Sequence, residues 1–267
     1  MTEYKSIATD HGEITCLEAG AGSPLVLLHG IGSGAASWQA QSDGFADRYR
    51  VIAWDAPGYG GSAPLEPTTP DARDYAAALA GFLDALGVDS CHLVGHSLGA
   101  LIACAFTQRW PERVKSLMIA DPAAGYATAD PAVRAERMAA RLGMLDRLGP
   151  EGMANERSGV LLSETASEDA RKRVRDVMAR IRPDGYRQAV AMLFGGDIHA
   201  DARRISLPVQ VVCGGDDTVT PPAGCENIAA SFPNAQFEIL PGLGHASYVE
   251  GPDAFNAVLA DHLSAKE

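Results

Sequence analysis

No uninterrupted apolar stretch in the chain approaches the ~20 residues that a membrane-crossing helix needs. The opening residues, Met1-Thr2-Glu3-Tyr4-Lys5-Ser6, lack the apolar core of a secretory leader, so a cytoplasmic protein with no membrane partner is expected. Cysteine is sparse: Cys16, Cys91, Cys104, Cys213 and Cys225 are odd in number, widely spaced and contain no C-x-x-C pair. That argues against a disulfide framework and against a zinc site, and Cys91 and Cys213, inside strand-like runs, read as reduced core residues. Positive charge is in deficit. With 22 Lys and Arg against 34 Asp and Glu, a net charge of −12 speaks against nucleic acid or an anionic bilayer as the main partner. A phosphate-cradling G-x-x-x-x-G-K-[ST] loop is missing, as is a G-x-G-x-x-G followed by an acid at dinucleotide spacing, and no cofactor is expected.

What is present is a chain of 267 residues, 46% hydrophobic, enough to bury the core of one large α/β domain. Tyr4 to Thr9 and Ile14 to Ala19, separated by Asp10-His11-Gly12, predict an opening hairpin. Short apolar runs follow at Leu25–Leu28, Val51–Trp54, Leu93–Val94, Ser116–Ala120, Val209–Val212 and Phe237–Leu240, and these six suit a parallel sheet. Helical spacing covers Ala76 to Leu86, the segment after Ser97, and residues 222–232 and 252–264. Between Asp121 and Pro208 the alternation fails. About 80 residues without a strand exceed an ordinary connection, which predicts a helical cap at 125–205, inserted before the seventh strand into a core of 1–124 and 206–267. Residues 126–205 hold 14 of the 22 basic but only 12 of the 34 acidic side chains. Arg134, Arg137 and Arg141 share one helical face at i, i+3 and i+7 and are candidates to grip an anionic substrate; a solvated surface of paired charges is the plainer alternative.

The chemistry concentrates at Gly95-His96-Ser97-Leu98-Gly99, directly after an apolar run and directly before a helical pattern. A serine between two glycines on such a turn is a nucleophile elbow, the glycines being required by the tight strand-to-helix reversal. The serine needs a base beyond a later strand, and His245 in Leu243-Gly244-His245 has that place; His96, adjacent in the elbow, cannot easily turn onto its neighbour's hydroxyl and reads as packing support. An acid must hold the base. The Gly-x-x-Asp-x-x-x-Pro spacing of residues 214–221 favours Asp217, with Asp216 and Asp121 as rivals. Backbone amides of Leu98 and of Ile31, in the glycine-rich loop His29-Gly30-Ile31-Gly32-Ser33-Gly34, are candidates to meet a developing oxyanion. Asp55-Ala56-Pro57-Gly58-Tyr59-Gly60-Gly61-Ser62 reads mainly as structure, with Tyr59 and Ser62 the two residues that could border a pocket.

His29-Gly30, Asp55 to Gly60, Gly95 to Gly99, Gly214-Gly215-Asp216-Asp217 and Gly244-His245 occur in an order and spacing that resemble α/β-hydrolase-fold enzymes along nearly the whole chain. Gly149-Pro150-Glu151-Gly152-Met153, Pro183-Asp184-Gly185-Tyr186 and Glu250 to Asn256 are similar to bacterial 3-oxoadipate enol-lactonases, features that many carboxylesterases and amide hydrolases share. The resemblance implies a mostly parallel sheet with helices on both faces, a Ser-His-Asp triad of Ser97, His245 and Asp217, no metal, and a small-molecule ester or lactone substrate, carboxylate-bearing if the cap arginines contact it. An amide or formamide hydrolase of aromatic degradation, a carbon–carbon bond hydrolase and a slow-turnover ligand-binding signalling protein are the alternatives. Ser97 sets the chain apart from dehalogenases and epoxide hydrolases, which carry aspartate at the elbow. His96 and Ala246 depart from the Asn and Trp typical of the carbon–carbon hydrolases.

Overall fold

The computed structural model describes residues 3–264. In β3 (Ser23–Leu28), Leu25 and Leu27 enter one apolar cluster and Val26 and Leu28 another. Successive side chains leave a strand on opposite faces, so a strand covered on both sides reads as a continuous apolar run. The same holds for β4 (Tyr49–Trp54), β5 (Cys91–His96), β6 (Val114–Ala120) and β7 (Val209–Gly214), whose residues are almost all buried. The opening strands β1 (Glu3–Thr9) and β2 (Gly12–Ala19) form an antiparallel hairpin, and β1, half exposed, alternates as an edge strand should. With β8 (Ala235–Leu240) the sheet has the order β1-β2-β4-β3-β5-β6-β7-β8, and from β4 to β8 every pair is parallel. The strands match the runs expected from the sequence. The antiparallel joint of β2 to β4, which attaches the hairpin, had no signal of its own.

Helices cover both faces. Residues of α2 (Ala72–Ala85) and α3 (Leu98–Arg109) fill one cluster, while α1 (Gln39–Phe45) and the last helix, over Pro252–Ser264, fill the other. Asp71 starts α2 with a reciprocal cap: its side chain accepts the Arg73 and Asp74 amides, and Asp74 accepts the Asp71 amide. The short α1 escaped the periodicity reading because it spans only seven residues.

Between β6 and β7 the chain forms α4 (Pro131–Arg157), α5 (Glu168–Met178), α6 (Pro183–Gly195) and α7 (Ile198–Ala202), with no strand. Gly149, at φ 62°, breaks α4 directly before Pro150. Proline has no amide to continue the ladder and glycine accepts the left-handed turn, so the two residues redirect the helix. Helix α6 lies backbone to backbone on the core: a Cβ placed on Gly185 would sit 2.0 Å from the Gly58 carbonyl oxygen.

From β3 the chain passes to β4 on one side and then returns to β5 on the other. Strand order therefore reverses between β3 and β5, and the crevice at their carboxyl ends is where open α/β sheets bind ligands. The loop from His29 and the elbow at Ser97 both open there. Because both neighbours are backbone, Gly185→Ala is expected to destabilise the fold by about 1–3 kcal/mol in chemical denaturation; an unchanged midpoint would show that α6 is not held by this contact.

Candidate active site

Ser97 sits between β5 and α3 with φ 51° and ψ −112°, one of two non-glycine residues at positive φ among those described. Two close approaches enforce this. A Cβ on Gly95 would lie 2.5 Å from the Gly99 carbonyl oxygen, and one on Gly99 would lie 2.4 Å from that of Leu28. The Ser97 amide donates to the Ala120 carbonyl at 2.9 Å, which fixes the turn against β6. Leu98 is the first residue of α3, so its amide has no acceptor within the helix.

The Ser97 hydroxyl meets His245 Nε2 at 2.9 Å, and His245 Nδ1 meets Asp217 Oδ2 at 2.8 Å. A carboxylate only accepts, so Nδ1 carries the proton and Nε2 is left to accept from the serine. Asp217 is buried and its oxygens are well occupied: Oδ1 accepts the Val219 and Thr220 amides at 2.7 and 2.9 Å, and Oδ2 also accepts the Thr220 hydroxyl at 2.7 Å. Burial pushes this carboxyl up, but the hydrogen bond and charge of His245, joined by the Thr220 donors, outweigh it and hold Asp217 below the ordinary carboxylate value. Thr220 has no sequence signature beyond its place three residues after the acid.

The rival acids lie elsewhere. Asp216 is exposed, and it braces the turn through its backbone amide on Leu243 rather than through its side chain. Asp121 is fully buried at the end of β6, where it accepts the Gly214 amide at 2.7 Å and the Ser247 hydroxyl at 2.6 Å. Its removal from water raises its pKa to about 7. His96 donates from Nε2 to the His245 carbonyl at 2.8 Å, and burial, followed by the neighbouring His245, lowers it to about 3, so it stays neutral. Asp121, Cys213 and Asp217 bring three ligand-type atoms within 4.8 Å of one another, yet the carboxylate oxygens are already engaged by these donors.

Ser97 and His245 open onto a cavity of about 320 Å³ that Ile31 and Leu98 also line. Its wall is apolar apart from a few groups, among them Arg141 and Arg157, and no acidic residue borders it. Neither arginine makes an ion pair or hydrogen bond to another described residue. On a straight helix the sixteen steps between them would span about 24 Å; the break at Gly149 lets both face one space. Arg134 and Arg137 do not line the cavity. They share the helical face of Arg141, but Arg134 is two turns away, about 10 Å along the axis, and Arg137 is exposed with its guanidinium 5.8 Å from the Tyr126 ring. Helical periodicity gives no reason to include Arg157; Gly149-Pro150 is the sequence signal of the break that brings it to the cavity. Tyr59 and Ser62 are buried and do not line the cavity; the Ser62 hydroxyl donates to the Asp55 carbonyl at 2.7 Å.

The family described as alpha/beta hydrolase fold matches this chain over residues 23–252. The chain belongs to the α/β-hydrolase-fold family. The matched span of this α/β-hydrolase contains every cavity-lining residue. It is similar to a Stutzerimonas stutzeri protein that bears the name carbamate hydrolase RutD, at 30% identity over 90% of this chain and 91% of the relative. It is 31% identical to the 2-hydroxy-6-oxononadienedioate/2-hydroxy-6-oxononatrienedioate hydrolase of Paraburkholderia phymatum, over 92% and 89%. Among solved structures, an esterase from Thermogutta terrifontis superposes with a TM-score of 0.88 at 27% identity, covering 99% of both chains. The enol-lactonase of Burkholderia xenovorans shares the fold at TM-score 0.85 and 22% identity, over 97% of this chain and all of that one. No helix among the described residues is long and apolar enough to cross a membrane.

Two outcomes follow for the acids. Asp217→Asn is expected to lower kcat about 10⁴-fold, and Asp121→Asn or Asp216→Asn less than about tenfold; the reverse ranking would reassign the acid. Asp121 is raised on folding, so its neutral form stabilises the protein fully below its unfolded value near ~3.9, and that contribution is lost as pH rises through about 7. Asp121→Asn should therefore flatten the decline in the denaturation midpoint between about pH 4 and 7, and an unaltered slope would contradict the assignment.

Proposed function

We propose that the protein is a cofactor-free serine hydrolase that cleaves a small, carboxylate-bearing ester or lactone through an acyl-enzyme. The observation that carries this reading is the pair of contacts, 2.9 and 2.8 Å, that link Ser97, His245 and Asp217 at the wall of the cavity. His245 Nε2 takes the hydroxyl proton as Ser97 Oγ attacks the substrate carbonyl, and Asp217 stabilises the imidazolium that results. The oxyanion is met by the Leu98 and Ile31 amides, whose help is greatest where water is excluded. Collapse breaks the bond to the leaving oxygen, which receives the proton from His245. Water, deprotonated by the same nitrogen, then attacks the acyl carbon and releases Ser97.

The anionic part of the proposal rests on Arg141 and Arg157. Two unpartnered guanidinium groups beside an apolar wall suit a substrate with a hydrocarbon body and a carboxylate, since a charge-assisted pair is strongest away from solvent. The likeness to an esterase whose structure has malate bound is consistent with this, as malate is itself a small carboxylate. A second reading, carbamate or amide hydrolysis, is favoured by the RutD relative; the steps are the same, with an amine leaving in place of an alcohol.

The test is kcat/KM on matched small esters, one neutral and one carrying a carboxylate on the acyl side, with Ser97→Ala as the blank. The anionic ester should be preferred, and Arg141→Gln or Arg157→Gln should each cost about 10–100-fold on it alone, the equivalent of one charge-assisted hydrogen bond. Preference for the neutral ester would refute the anionic assignment. Turnover of neither, with turnover of a small carbamate, would move the protein to the second reading.

A further inference from the structure

His245 stands in a loop, and a loop histidine holds its ring on a serine only if the backbone on either side is fixed. One side is the core: a Cβ on Gly214 would lie 2.2 Å from the Gly244 carbonyl oxygen, so the end of β7 packs directly against the loop. The other side belongs to the helical insert. The Ala246 amide donates to the Leu161 carbonyl at 2.7 Å, and Gly244 packs so closely on Leu162 and Ser163 that a Cβ there would sit 2.6 Å from their backbone. The Gly244-His245 pair thus has a glycine because the insert's main chain passes over it.

Glu250 closes this contact. It ends the short helix Ser247–Glu250, and its Oε2 accepts the Gly244 amide at 2.9 Å and the Ser163 amide at 3.0 Å. Its Oε1 accepts the Ser163 hydroxyl. No cation pairs with Glu250 among the described residues, so its carboxylate is held by three donors, two from the insert and one from the residue before His245. Arg171 supports the far side by donating to the Ser163 and Glu164 carbonyls at 3.1 and 2.9 Å. Leu161, whose carbonyl holds the residue after His245, also lines the cavity.

We propose that Glu250 is a positioning residue: its carboxylate clips segment 161–163 of the insert to the Gly244-His245 backbone and so keeps the imidazole within reach of Ser97. The inference rests on the acyl-enzyme reading above. A bound substrate that presses on Leu161 acts on His245 through one hydrogen bond, which makes the base sensitive to how the insert is seated.

Glu250→Gln, Glu250→Ala and Ser163→Ala are compared with the native chain in three measurements: kcat and KM on an ester that it turns over, the rate at which a fluorophosphonate modifies Ser97, and the thermal midpoint. Displacing a catalytic group by about 1 Å can cost on the order of a hundredfold, so the Ala variant of Glu250 should lose about that much in kcat and the Gln variant about tenfold. KM should change little, and the phosphonylation rate should fall in step with kcat, since both need His245 to accept the Ser97 proton. A purely structural carboxylate would lower the midpoint and leave these rates alone. Equal rates in native and Glu250→Gln protein would overturn the inference. Should both Glu250 variants fail to fold, Ser163→Ala decides from the opposite side of the clip, with a several-fold fall supporting it and no change refuting it. If the native chain is neither phosphonylated at Ser97 nor active on any ester, the functional reading itself is what fails.

Discussion

Ser97 holds a backbone conformation that side-chain-bearing residues avoid, and the arrangement around it follows from keeping it there. A strained φ of this kind costs about 1–3 kcal/mol and survives only where neighbours over-determine it. Here they do so at van der Waals range: Gly95 lies against Gly99, Gly99 against the Leu28 carbonyl, and Gly30 so near that a Cβ on it would be 2.9 Å from the Ser97 Cβ. Three segments, the end of β3, the end of β5 and the start of α3, meet with backbone in place of side chains. The burial of β3, β5 and β6 in the sheet offsets the strain, and the helix start leaves the Leu98 amide free beside the hydroxyl.

Around this turn, burial disfavours charge on the groups that lack a counter-ion. His96 is held far below the usual imidazole range and contributes one donor to the His245 carbonyl. Asp121 is raised and ties the ends of β6 and β7 to Ser247. Asp217, supplied with two amides, a hydroxyl and the imidazole, is instead held below the ordinary carboxylate value. The cavity is the opposite case, since two arginines there face a wall that offers them no counter-ion. Desolvation works against a lone guanidinium there, and an anionic ligand would relieve it.

The parallel strands were legible because burial on both faces leaves an apolar run, and the elbow, the Gly244-His245 pair and the 214–221 turn were legible because tight turns restrict residue type. Those motifs led to Ser97, His245 and Asp217, which the structure brings within hydrogen-bonding distance. The helices between β6 and β7 were less readable. Helical periodicity places Arg134, Arg137 and Arg141 on one face but is blind to the helix's length against the cavity and to its bend at Gly149, so Arg157 was missed and two arginines were included that do not line the cavity. Glu250 and Thr220 were invisible for another reason. Glu250 takes two of its three donors from Ser163, 87 residues away, and Thr220 reaches Asp217 only through the way the 217–220 turn folds, and no residue pattern records such contacts.

The proposed hydrolysis passes through a covalent intermediate on one oxygen atom, Ser97 Oγ. Rapid quenching of the protein with excess ester, followed by intact-mass measurement and peptide mapping, tests it most directly. A transient mass increase equal to the acyl group is expected, located on Ser97 and absent from Ser97→Ala. Hydrolysis with no adduct at any time, or with the acyl group on another residue, would contradict it.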